Sequence, residues 1–224
     1  MPSSIWNLLN QCFGKEKAFT LAEVLITLVI IGVIAAITIP SLINKTNNQE
    51  TVSRLKKAYS SLSQATNLII LEEGPVTSWA TSLDNIYNLY MKKLINTKKC
   101  NREIGCFEQG TIHWLSSRTE DFNSSTWRKF VLQDGSQILI APQLSQNCTL
   151  DNEVNDGSKN HCARIVVDIN GAKKPNTFGR DIFMFVLKKD GLYPAGCDYD
   201  NQCNNNSCGS ACTCKVLREG AMNY

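Results

Sequence analysis

The chain has 224 residues, a formal net charge of +3 and ten cysteines. That charge excludes the broad basic field of a nucleic-acid-binding domain, so no nucleic-acid partner is expected. The length allows one domain with an anchor, or two small domains.

The first residues carry a short basic stretch, with Lys15 and Lys17 just before an apolar run. From Phe19 to Ile39 the sequence reads FTLAEVLITLVIIGVIAAITI. As a helix these 21 residues span about 30 Å, the thickness of a bilayer's hydrocarbon core. Val and Ile favour strands, but hydrocarbon demands a segment that satisfies its own backbone, so length decides for helix. A cleaved secretory signal would be shorter and would end in a small-x-small site, which is missing here. Glu23 lies inside the run, where a carboxylate costs about 2.5–3.5 kcal/mol on insertion scales. A plain anchor leaves that acid without a reason. Thr20 and Thr27 cost little, because their hydroxyls bond back to the helix.

The segment Gly14-Lys15-Glu16-Lys17-Ala18-Phe19-Thr20-Leu21-Ala22-Glu23 resembles the prepilin processing site shared by type IV pilins and type II secretion pseudopilins. The resemblance covers residues 14 to 70, and Pro40 falls where many members carry a helix-bending proline. It implies a leader over residues 1–18, cut by prepilin peptidase between Ala18 and Phe19, with the new Phe19 amine then methylated. Ala18 replaces the usual glycine at that step. The resemblance further implies a single-pass protein of the inner membrane, with its C-terminal domain outside the cytoplasm. Its partners are then other pilin-like subunits, the filament assembly machinery and the peptidase. Physically, Glu23 suits this arrangement. A carboxylate one helical turn from the start can neutralise the Phe19 ammonium of a neighbouring copy, and its own helix N-terminus also favours an anion.

Beyond residues 19–40, the assembly helix, the pattern becomes amphipathic over residues 41–74. Val52, Leu55, Tyr59, Leu62, Thr66 and Ile69 recur at helical spacing and predict a face packed on a sheet. Pro40 with residues 44–48 predicts a joint between the two halves, and Gly74-Pro75 predicts the helix end. Residues 75–195 form the predicted α+β soluble domain. A second helix over 83–95 places Leu83, Ile86, Leu89, Tyr90 and Leu94 together. Residues 130–140 read as strand, Asp-Gly turn, strand. Further strands are predicted at 163–169, 182–187 and 192–193, with no helix between them. The sheet is therefore expected to be antiparallel, with the long helix covering one face.

The link from Asp168 to Asp181 gathers Asp168, Asn170, Asn176 and Asp181, oxygen donors of the kind calcium takes. The resemblance adds that some pseudopilins hold calcium in this region. The favoured reading of the residues themselves is a polar connection whose Asn and Asp side chains make turns; no other cofactor is expected. Nine cysteines follow the apolar run, which fits an oxidising compartment. Cys100 with Cys106, and Cys148 with Cys162, are close enough in sequence to close loops. Cys197, Cys203, Cys208, Cys212 and Cys214 crowd residues 196–224, a region too poor in apolar residues to build a core alone. The nine cannot all pair within one mature chain. The spacing of Cys208, Cys212 and Cys214 lacks the paired Cys-x-x-Cys of zinc ribbons. Histidines occur only at 113 and 161, and no hydrolase or phosphate-loop motif is present. The expected function is a non-enzymatic structural subunit of a type II secretion pseudopilus or a type IV pilus-like filament. The alternatives are a minor pilin serving as an adhesin or DNA-uptake module, which an exposed basic patch or an exposed face of Trp79, Trp114, Trp127 and Phe122 would favour, and an anchored enzyme.

Overall fold

The computed structural model describes residues 19–100, 112–116, 118–120, 126–141, 143–150, 159–171, 173–197, 203–204, 207 and 209–224. Ala18, Cys106, Cys208 and Phe122 lie outside them. Contacts divide the chain between Thr46 and Asn47.

Helix α1 runs over Leu21–Glu73 with Pro40 inside it, and the two units divide within 44–48, the expected joint. Threonines inside it bond back as expected. Thr27 Oγ1 donates to the Val24 carbonyl at 2.9 Å, and Thr38 Oγ1 to that of Ile34 at 3.0 Å. Its N-terminal part is exposed apolar helix, long and apolar enough to cross a membrane. In the second unit α1 buries Val52, Leu55, Ala58, Leu62, Ala65, Thr66 and Ile69. Tyr59 is half-buried and stacks parallel to Phe185 at 5.6 Å. Gly74, at φ +85°, ends the helix in the left-handed region that glycine tolerates, and Trp79 Nε1 donates to its carbonyl at 3.1 Å.

Trp79 belongs to a one-turn helix α2, Val76–Trp79, which the sequence pattern did not indicate. Helix α3, Leu83–Lys93, starts at Ser82, whose side chain accepts from Asn85 N. A buried hydroxyl pair joins α3 to α1, with Thr66 Oγ1 and Tyr90 Oη 2.5 Å apart.

The strands are β1 (Asn96–Cys100), β2 (Ile112–His113), β3 (Thr119–Glu120), β4 (Arg128–Leu132), β5 (Gln137–Ile140), β6 (Ala163–Asp168), β7 (Ile182–Lys188) and β8 (Gly191–Pro194). Six form one antiparallel sheet in the order β1-β4-β5-β6-β7-β8, while β2 and β3 form a small ladder. Asp134-Gly135 turns β4 into β5 with Gly135 at φ +84°. This is the α+β, pilin-like arrangement the resemblance implies.

The long helix covers one sheet face, as expected, and the other face is covered as well. Alternation along the strands sends Ile138, Ile140, Ile165, Val167, Phe183 and Phe185 into the core under α1. Leu139, Val166, Met184 and Val186 join a second core with Ile112, Trp114 and Phe178. Trp114 and Phe178 stack there at 4.3 Å. With both faces covered, β6 and β7 read as continuous apolar runs rather than alternating ones.

The cysteine-rich segment is held by disulfides, as expected. It contains helix α4, Cys212–Glu219, which puts Val216 into the main core. Thr213 Oγ1 accepts from Met184 N at 3.0 Å, and Cys214 N donates to the Ala195 carbonyl at 3.0 Å. The start of α4 thus serves β7 backbone that β8 is too short to reach. Gly196 permits this approach, since a β-carbon there would stand 1.9 Å from the Ala211 carbonyl oxygen.

Candidate functional site

Thr20 precedes the first helical residue of α1, and Glu23 is its third. Glu23 Oε2 accepts from Thr20 N at 2.8 Å and from Thr20 Oγ1 at 3.0 Å. Thr20 Oγ1 in turn accepts from Glu23 N at 3.2 Å. This reciprocal pair is a capping box, which satisfies backbone donors that the first turn leaves unpaired. Among the described residues Oε1 makes no further bond, and Phe19, the adjoining residue of the processing pair, is 83% exposed. Sequence reasoning assigned Glu23 to a neighbour and treated Thr20 as a passive hydroxyl. The Thr-x-x-Glu spacing is the signal that identifies Thr20 as the partner holding the carboxylate in place.

The second group of candidates lies in the β6–β7 link, closed by Ile169 N donating to the Asp181 carbonyl at 3.0 Å. Asp168 Oδ1 accepts from Asn170 N at 3.1 Å and Gly171 N at 2.9 Å. Asp181 accepts from Asn176 N at 2.8 Å, Thr177 N at 2.6 Å and Asn170 Nδ2 at 3.1 Å. Asn170 therefore connects both carboxylates. Both acids are 2% exposed. Burial, and then the nearby Asp181 charge, pushes the Asp168 carboxyl up to about 8. Burial also raises Asp181, against the hydrogen bonds that favour its charged form. Asn170 Oδ1 and Asn176 Oδ1 are buried acceptors with no hydrogen-bond partner. The loop is thus largely satisfied from within, save for two oxygens.

Cysteines at 148 and 162, 197 and 214, and 203 and 212 are joined as disulfides, and Cys100 is also disulfide-bonded. Cys212 and Cys214 are therefore not free thiols for zinc. Among the described residues no group of three His, Cys, Asp or Glu converges on a metal position. Among the described residues of the expected aromatic face, Trp79 and Trp114 are buried, and Trp127 packs against the second core.

Residues 41–208 match a family of unknown function, DUF6613. The chain belongs to that family. Ahead of this region, residues 14–39 match the prokaryotic N-terminal methylation motif. The DUF6613 region thus follows a type IV pilin-like prepilin segment, which fits a single-pass membrane-anchored protein. No curated protein and no solved structure matches the chain.

Proposed function

We propose that this chain is a structural, non-enzymatic subunit of a type II secretion pseudopilus or a type IV pilus-like filament. The observation that carries the reading is the methylation motif over residues 14–39, with Glu23 set one turn into an exposed apolar helix. In this reading prepilin peptidase cuts between Ala18 and Phe19 at the inner membrane, and the ectodomain stands outside the cytoplasm. The Glu23 carboxylate, oriented by Thr20, then meets the Phe19 ammonium of a neighbouring copy. Packing of the apolar helices against one another removes their surface from solvent as the subunit leaves lipid.

Two substitutions separate charge from capping. Glu23→Gln keeps an acceptor for Thr20 N but carries no charge, whereas Glu23→Ala loses both. Both variants should insert in the membrane, and both should lower filament yield at least tenfold by sheared-fibre immunoblot. Wild-type yield from Glu23→Gln would remove the ion pair from the account and leave Glu23 as a helix cap alone.

Calcium binding at the β6–β7 link is a second reading, supported by Asn170 Oδ1 and Asn176 Oδ1, two buried oxygens lacking donors beside two acids. Millimolar calcium should then raise the melting temperature of the wild type and leave Asp168→Asn unmoved. Equal shifts in both proteins would discard it.

A further inference from the structure

Cations gather where α1 enters the unit Asn47–Tyr224. Arg54 Nη1 donates to the Ile169 carbonyl at 3.5 Å, which ties the loop bearing exposed Lys173 and Lys174 to the early turns of this part of the helix. Lys56 Nζ lies 3.7 Å from the place a β-carbon on Gly220 would take. The segment that follows ends in Tyr224, whose hydroxyl reaches the Gly179 carbonyl beside exposed Arg180. Lys215 Nζ stands over the Tyr224 ring, 5.9 Å from its centroid. Three separate segments, α1, the β6–β7 link and α4, thus bring cations to one end of this unit. The exposed acids on α1 and α4 nearby are Glu50, held by Arg54 at 2.7 Å, and Glu219.

The chain path sets an upper bound on how far Arg54 lies from the apolar segment. Ile43 is the last exposed large apolar residue of the N-terminal segment, and Arg54 follows eleven residues later. At 1.5 Å per helical residue that path is at most about 17 Å, whatever angle the helix takes. The headgroup layer accounts for about 5–8 Å of it, and charges act over a further ~8 Å at physiological salt. The cations also lie on the side of the span that the orientation rule leaves poor in Lys and Arg, so topology alone does not account for them.

We infer that this basic end is a docking surface for anionic phospholipid headgroups, holding the ectodomain against the bilayer before assembly. The inference rests on the anchored-subunit reading. A neighbouring copy's acidic surface is the competing occupant. Lipid is favoured because the tether keeps it in reach at all times, and each cation near an anionic surface strengthens the attraction roughly fivefold.

The test uses the full chain in nanodiscs of phosphatidylcholine alone, or with phosphatidylglycerol added. Hydrogen exchange over residues 169–181 and 212–224 should slow several-fold with phosphatidylglycerol and recover in high salt. The combined variant Lys56→Glu, Lys173→Glu, Lys174→Glu should exchange like wild type in phosphatidylcholine and gain no protection from the anionic lipid. Identical wild-type rates in both lipids would overturn the inference, as would protection that follows protein density instead of phosphatidylglycerol. A chain that does not float with the lipid would overturn the anchored reading itself, and this one with it.

Discussion

Asp168 shows what burial does to one carboxylate. Its pKa near 8 lies far above the unfolded value of 3.8, so the folded chain holds a proton that the unfolded chain has released between those two pH values. Stability therefore rises as pH falls from about 8 toward about 4, by up to about 1.4 kcal/mol per pH unit for one such group. Asp168→Asn keeps an acceptor for Asn170 N and Gly171 N, and should flatten this slope in urea titrations without calcium. An unchanged slope would assign the dependence elsewhere. The oxygen-rich character of residues 168–181 was legible in the sequence, and so were turns made by Asn and Asp. Which carboxylate would be stripped of water was not, because that depends on Asp181 returning beside Asp168 after thirteen residues. Thr20 was legible too, since the spacing of a capping box is local.

At the scale of elements, α1 was readable because a 3.6-residue apolar stripe needs only nearby residues to be recognised. Its two faces should respond differently. Leu62→Ala, in the core under the sheet, should cost about 2–5 kcal/mol, whereas Leu71→Ala at 81% exposure should stay within about 0.5 kcal/mol. Denaturant midpoints would decide, and equal losses would mean that the exposed face is also packed. The hairpin β4–β5 announced itself through Asp-Gly. The second core did not, because Trp114, Phe178 and the strand residues beneath them are far apart in sequence. Helix α4 was hidden by its company of Cys, Asn and Gly, although Val216 and Leu217 lie within it. Thr213→Val should cost about 1–3 kcal/mol, because it leaves the buried Met184 N–H without its acceptor. A neutral effect would show that water takes the hydroxyl's place.

For the whole molecule, the sequence carried its class from the N-terminus: apolar helix, embedded acid, processing site. Intact mass of protein extracted from membranes should lack residues 1–18, and a full-length mass would exclude processing at Ala18–Phe19. The function of the DUF6613 region was less legible, because it offers no catalytic motif and Trp114, Trp127 and Phe178 are spent on packing.

The disulfides sharpen that picture. Those whose partners are both described close loops of 9 to 17 residues within the C-terminal half of the chain. Helix α1 contains no cysteine at all, so no covalent bridge can fasten it to the sheet. Tension transmitted through a filament of such helices would fall on non-covalent contacts, chiefly the interface of Val52, Leu55, Leu62 and Ile69 with the polar bonds of Arg54 and Thr66. Load would be met there by packing, and in the disulfide-bonded half by covalently closed loops as well.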